Sequence, residues 1–223
     1  MTDTRMIVEG LGGVLAAAGT VILSPLLAPW YRRWGATADE TQRHLPGDEL
    51  APHPRSVITC AITVQAPVVR VWPWLVQIGC QRAGWYSYDL LDNGGQPSAS
   101  RIVPEHQHLS VGDKVLLTPK GPMAMPVVAL EPEEALVLGG TLNTRTGEGV
   151  APGDPLPEAH YTGINAFVLE PAGTRATRLI FRQRLDWSPA LANTLIYRGF
   201  LEPISFVMAR KMLKGIKWRA EAR

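Results

Sequence analysis

The densest group of side chains able to do chemistry is Gly84-Trp85-Tyr86-Ser87-Tyr88-Asp89-Leu90-Leu91-Asp92-Asn93. Amphipathic aromatics beside carboxylates can line a cavity mouth and orient the polar head of a ligand. They fit equally a packed helix–sheet junction, with hydroxyls bonded to backbone and an aspartate as cap. Asp89 and Asp92 lie three apart and share a helical face. That is the spacing of a pair for general acid–base work, and also of two solvated acids. His106 and His108 would share one face of a strand, as two metal ligands do. Apart from Glu105, no Cys, His or acid stands at metal spacing beside them, so no metal is expected. A pocket-facing His106 acting as acid or base and a plain loop histidine are the other readings, and His160 is as ambiguous. Arg101 is the better candidate for an anionic ligand group, because alternation places Arg182 and Arg184 on the outer face of a strand. No nucleophile elbow, phosphate loop or dinucleotide fingerprint is present, and no cofactor is expected.

The elements that must position these groups are legible in the pattern. Ser56 to Val64 alternates, with Ile58, Cys60, Ile62 and Val64 on one side. Pro67 starts a helix to about Ile78, complicated by Pro73. A second short helix is expected over Trp85 to Leu91. Strands follow at Lys114 to Leu117, Ala124 to Glu131, Ala135 to Leu138, Ile164 to Glu170 and Ala176 to Trp187. In the last of these Leu179, Phe181, Leu185 and Trp187 point one way. Ser188-Pro189 begins a long helix to about Trp218, bent at Pro203, with Leu201, Ile204, Met208, Met212 and Ile216 as its inner stripe. Thr37-Ala38-Asp39-Glu40 is a capping box that opens a short helix. Asp48 to Pro54 reads as extended linker.

From Gly10 to Tyr31 there is no charged residue. About twenty apolar residues span a ~30 Å hydrocarbon layer, and Trp30, Tyr31 and Trp34 with Arg32 and Arg33 resemble an interfacial belt. A signal peptide and a buried or peripheral helix are the competing readings. As a membrane anchor, the segment would place Arg32, Arg33 and Arg43 on the cytoplasmic side. The soluble part would then face the cytosol, in keeping with Cys60 and Cys80 as free thiols. A net charge of +2 argues against a protein made chiefly to bind nucleic acid. The C-terminal run of Arg210, Lys211, Lys214, Lys217, Arg219 and Arg223 against Glu221 is either a solvated face or a contact for an anionic membrane.

The strand Ile58 to Val64, then Ala66-Pro67, Val71-Trp72-x-Trp-Leu75, Gly84 to Asp89 and the long last helix resemble the SRPBCC superfamily. This is the helix-grip fold of START lipid-transfer domains, birch-pollen-allergen-like proteins and polyketide cyclases. The nearest likeness is to a bacterial branch with a Trp-Tyr-Ser-Tyr-Asp segment and an apolar N-terminus. It covers about residues 55 to 218. The resemblance implies an α+β domain in which a curved antiparallel sheet wraps a long C-terminal helix, preceded here by a hydrophobic helix. It also implies a ligand cavity, and no particular reaction. The expected organisation is a hydrophobic segment over 1–34, a linker with a short helix over 35–54, and the START-like domain over 55–223. The expected pocket side chains are Trp72, Trp85, Tyr86, Tyr88, Asp89, Arg101, His106, Phe181, Ile204 and Met208. The expected partners are an apolar small molecule, such as a lipid or polyketide, and a membrane through residues 10–31. A carrier or sensor is the leading reading. A cyclase or dehydratase working in the same cavity is the alternative, and a scaffold with a filled core a third.

Overall fold

The computed structural model describes residues 2–120, 123–151 and 153–222; Arg223 of the basic C-terminal run lies outside them. Helices α1 (Thr2–Ile22), α2 (Ser24–Tyr31) and α3 (Ala38–Gln42) come first. Strand β1 (Ser56–Val64) and helices α4 (Val68–Val76) and α5 (Asp89–Asp92) follow. The strands β2 (Lys114–Leu116), β3 (Ala124–Glu131), β4 (Ala135–Asn143), β5 (Gly149–Val150), β6 (His160–Pro171) and β7 (Thr177–Trp187) then run consecutively. The chain ends with α6 (Leu191–Thr194), a π-helical stretch Leu195–Leu201, and α7 (Glu202–Glu221). The seven strands form one antiparallel sheet in the order β1-β7-β6-β4-β3-β2, with β5 paired to β4. The sheet curves around α7, so the helix-grip α+β fold expected from the sequence is the fold observed.

Alternation in the strands sorts their side chains onto two faces. Cys60, Val64, Phe167, Leu179 and Phe181 turn to the concave face and bury against Phe206, Leu213 and Ile216 of α7. Ala61, Ala135, Val168 and Ile180 turn to the convex face, where Leu45 covers them, and Ala51 covers Val137, Ile164 and Ala166. The stretch expected to be an extended linker is therefore the second layer over the sheet. Gly47, at φ +91°, shows how close it lies: a Cβ there would sit 2.7 Å from Val137 Cγ1.

Arg182 and Arg184 do point outward, as alternation requires, but into this covering rather than into solvent. The Arg182 guanidinium donates to Thr59 Oγ1 at 3.1 Å, to Asp48 Oδ2 at 2.6 Å, and to the carbonyl oxygens of Arg43 and Glu40. Arg184 donates to the carbonyl of Ala51 at 2.9 Å. An irregular segment leaves carbonyls without ladder partners, and the two arginines supply donors for them. The Thr37–Glu40 capping box forms as expected. Arg178 adds a bidentate contact that, with the box, holds the Glu40 carboxyl down at about 2.

The exposed edge of β1 is protected in another way. Thr59 N donates to Arg32 O at 2.7 Å and Ala61 N to Trp34 O at 3.0 Å, so the residues after α2 pair with that edge. Tyr31 is fully buried there. Its hydroxyl donates to Glu202 Oε1 at 2.8 Å, and Arg32 Nε donates to the same oxygen at 2.7 Å.

Three differences from the sequence expectation lie in the last helix, the first being its start: it begins at Leu191 after an extended Ala190, and Ser188 is not its cap. Pro203 has no N–H for the Gly199 carbonyl, and the turns before it widen into the π-helical stretch. The inner stripe also differs. Phe206, Ala209, Leu213, Ile216 and Ala220 are buried, together with Met212, whereas Ile204 and Met208 are half-buried on the flank. A row of residues four apart advances ~40° around the helix at each step. The row Ile204, Met208, Met212, Ile216 therefore starts off the inner face and only reaches it at Met212.

Candidate functional site

The concave face is packed by apolar side chains at one end and carries polar side chains at the other. Between sheet and α7 the space is occupied by Val71, Leu75, Phe167, Leu179, Phe181 and Phe206. The roomy hollow expected behind Trp72 and Met208 is thus largely taken up by side chains. Toward the far ends of β6 and β7 the packing loosens, and Gly140, Tyr161, Asn165 and Gln183 are half-buried among neighbours that are fully buried.

The register of the strands places Gln183 opposite Asn165 and Asn165 opposite Leu138. Gln183 follows Phe181 by two residues and so shares its inward face. Its Nε2 donates to Asn165 Oδ1 at 3.0 Å, and Asn165 Nδ2 points to Met125 Sδ at 3.4 Å. Gln183 Oε1 is buried and has no hydrogen-bond partner among the described residues. A buried acceptor left unpaired costs ~1–3 kcal/mol. Tyr197 of the π-helical stretch closes one side. Its ring lies 4.9 Å from Tyr161 and 5.3 Å from Trp187, centroid to centroid. The outer side of the same stretch exposes Leu195, Ile196 and Phe200.

The Trp-Tyr-Ser-Tyr-Asp segment does other work. It is mostly irregular, because Tyr86 takes φ +57° and only Asp89–Asp92 is helical. The Tyr86 hydroxyl donates to Trp74 O at 3.1 Å and accepts from Gln77 Nε2 at 3.0 Å. Burial pushes its ionisation well above the usual phenol range. Arg219 of α7 stacks 4.6 Å over the ring. Ser87 Oγ donates to Met208 O at 3.1 Å, and Asp89 accepts from Ser98 N at 2.9 Å and from Ser98 Oγ. Trp85 is buried, while Tyr88 packs between α1 and α7 with Lys211 Nζ 5.5 Å over its ring.

Gln77, fully buried, organises the following loop. Its Nε2 also donates to Arg101 O at 3.2 Å, and its Oε1 accepts from Val103 N at 2.9 Å and Gln107 Nε2 at 3.0 Å. The Arg101 side chain is exposed, and His106 sits on a short turn whose carbonyl accepts from Arg82. Of the expected pocket set, Phe181 lies on the concave face, and Trp72, Ile204 and Met208 are half-buried at the edge of the core. Trp85, Tyr86, Tyr88 and Asp89 form the junction beside α7. Gln183, Asn165 and Met125 were missed by the sequence reading. The signal was there for Gln183: the alternation that turns Phe181 and Leu185 inward turns the residue between them inward too.

Asp92 is the one strongly perturbed carboxyl of this junction. Burial, with the Asp89 charge nearby, pushes it up to about 7, and its Oδ1 has no hydrogen-bond partner among the described residues. The folded state therefore holds a proton more tightly than the unfolded chain. The sign follows: the contribution of Asp92 to stability is full below the ordinary aspartate value of 3.8 and is lost as pH rises toward 7. Asp92→Asn removes the ionisation and is expected to stabilise the protein by about 2 kcal/mol at pH 8 and by little at pH 4. Denaturant unfolding of both proteins at the two pH values checks this, and an equal difference at both would refute the assignment.

Two open concavities lie outside the space between sheet and helix. One, of about 330 Å³, is lined by residues that include Trp30, Arg33, Trp34 and Gln42. The other, of about 510 Å³, is lined by residues that include Pro46, Val68, Glu133 and Glu170. No group of His, Cys, Asp and Glu among the described residues is arranged to hold a metal ion. Cys60 and Cys80 are buried free thiols, and burial raises Cys60 to about 12.

No family model and no curated protein matches the chain. Solved structures do. A protein from Arthrobacter aurescens is 17% identical, with 74% of this chain and 85% of that chain covered, at a TM-score of 0.42. Protein NE0264 from Nitrosomonas europaea is 13% identical, with 74% and 94% covered, at a TM-score of 0.42. CalU16 from Micromonospora echinospora is 14% identical, with 74% and 83% covered, at a TM-score of 0.32. These are distant likenesses of arrangement.

Proposed function

We propose that the protein binds an apolar small molecule beside Gln183 on the concave face and carries or senses it at a membrane. The observation that carries this reading is the unpaired Oε1 of Gln183 on an inner face that is apolar around the Gln183–Asn165 pair. Ligand sites of this kind combine apolar walls with a few fixed polar groups. The Gln183–Asn165 pair supplies those groups, and Met125, Tyr161 and Tyr197 supply wall. The guest is an apolar molecule with one hydroxyl or N–H group to give to Gln183. Binding it requires no bond to be made or broken. Membrane association rests on α1, which over Thr4–Ile22 is long and apolar enough to cross a bilayer. The two free thiols favour a cytosolic face for the rest of the chain.

Native mass spectrometry of the full chain purified from its own host tests the reading, and a co-purifying apolar compound is the expected result. Gln183→Leu replaces the acceptor with an apolar group of similar volume. Occupancy by that compound should fall about 5- to 30-fold, the value of one buried hydrogen bond. Thermal stability should change by less than about 1 kcal/mol, because loss of the bond to Asn165 Oδ1 is offset by removal of the unpaired acceptor. Full occupancy in the variant, or repeated absence of any adduct from the unsubstituted protein, would sink the proposal.

A further inference from the structure

We infer that residues 10–31 do not cross the bilayer but lie flat in one leaflet, with a cationic, Trp-lined recess beside them that takes the headgroups of anionic lipids. This rests on the membrane reading above and is independent of the ligand proposed at Gln183. The argument starts from the ends of the apolar run. At its start, Glu9 pairs with Lys211 of α7 at 3.3 Å. At its end, Tyr31 bonds to Glu202 and stacks on Phe206 of the same helix at 5.3 Å. Lys211 and Glu202 are nine residues apart on α7, or ~14 Å at 1.5 Å per residue. A spanning segment would separate its ends by the ~30 Å of the hydrocarbon layer and put them on opposite sides. Here the chain leaves the domain and returns to it on one side, turning between α1 and α2 at Leu23, just before Pro25.

The faces of α1 agree with this. Gly10 and Gly13 turn inward, so close that a Cβ would lie 2.5 Å from Leu90 Cδ2 and 2.8 Å from the Tyr88 ring. The opposite stripe carries Leu11, Leu15 at 74% exposed and Ile22 at 75%, and α2 continues it with Leu26 at 79%. Small residues inside and bulky apolar residues outside reverse the pattern of a helix that faces water. Such a helix suits the acyl boundary, where its outer face inserts and its inner face stays on the protein.

The charge beside the stripe selects lipid over a protein partner. Trp30, half exposed, and Arg33 line the 330 Å³ concavity with Trp34. Arg210 lies 5.2 Å and Lys214 6.0 Å from the Trp34 ring centroid. On α7, Lys211 pairs with Glu9 and Lys217 with Glu221. Arg210 and Lys214 have no carboxylate partner among the described residues. An uncharged apolar ridge that ends in tryptophan and unpaired cations is complementary to an anionic leaflet, where each basic group adds to the attraction.

Two measurements on the full chain test this. In the first, Thr4→Cys and Asp39→Cys, each in an exposed position, are reconstituted singly into sealed vesicles of phosphatidylcholine and phosphatidylglycerol. They are then treated with a membrane-impermeant thiol reagent, against which the native Cys60 and Cys80 are buried. Equal labelling of the two, on the same side, is expected. One site labelled and the other labelled only after detergent would overturn the in-plane arrangement while leaving the membrane reading intact. In the second, co-sedimentation compares vesicles with and without phosphatidylglycerol. Leu15→Asp should weaken binding to both about tenfold or more. Arg33→Gln with Lys214→Gln should weaken binding only to the anionic vesicles, by about fivefold or more. Unchanged binding in Leu15→Asp would overturn the docking face, and equal loss on both vesicle types in the double variant would overturn the headgroup recess. No binding by the unsubstituted chain would overturn the membrane reading itself.

Discussion

Arg182→Leu is expected to destabilise the protein by about 3–5 kcal/mol, the cost of breaking a buried ion pair from one side. In a chain of this size that lowers the melting temperature by on the order of 10 °C. The reason is the number of groups left behind. Arg182 is only 2% exposed. Without it, the carbonyls of Glu40 and Arg43 lose their donor, and the buried Asp48 carboxylate keeps only Arg184, at 3.2 Å, as a cation. Leucine fills part of the volume but donates nothing. Arg184→Leu is the control. Its guanidinium serves two carbonyls at the rim and the second oxygen of Asp48, a carboxylate that keeps Arg182 when Arg184 is lost, so the cost is expected to be about 1 kcal/mol. Thermal unfolding followed by circular dichroism measures both. If the two variants melt together, the segment over the convex face is not held as described.

Glu202→Gln should have the second-largest effect, about 2–4 kcal/mol, and it should be local before it is global. The fully buried carboxylate accepts from Tyr31, Arg32 and Ser56 together. An amide of the same shape carries no charge for Arg32 and turns a donor toward groups that are themselves donors. The contact that fails is the one that ties α2 to α7, and with it the pairing of Arg32 and Trp34 along β1. Hydrogen exchange is therefore expected to speed up at the amides of Thr59 and Ala61, which donate to those two residues. Amides of β1 that donate to β7 should change only by the global loss of stability. Equal acceleration along both edges of β1 would show that Glu202 has no special hold on the N-terminal segment.

Much of the local structure was legible because it depends on neighbours in sequence. The Thr37–Glu40 box closes within four residues. The strands expected at Ser56–Val64 and Ala124–Glu131 have the observed bounds. The resemblance to helix-grip proteins correctly gave the order of elements and the wrap of sheet around the last helix. The inner stripe of α7 was read from a row of residues four apart, which drifts around the helix, and that is why Ile204 and Met208 fall on its flank. The chemistry-bearing segment from Trp85 to Asp92 was legible as composition only. Its hydroxyls and Asp89 are bonded to Trp74, Gln77, Met208 and Ser98, and those partners belong to other parts of the chain.

The sequence by itself determined most of the strands and helices, the free thiols and an apolar run too long to ignore, because periodicity, caps and composition act over a few residues. Only the tertiary structure decided that residues 43–52 close the convex face, that Gln183 meets Asn165 with one oxygen left over, and that the apolar run begins and ends on the same helix. Each of these is a contact between positions distant in the chain. Its energy comes from burial and from donors that match acceptors across space, and no local pattern encodes which distant group will be there.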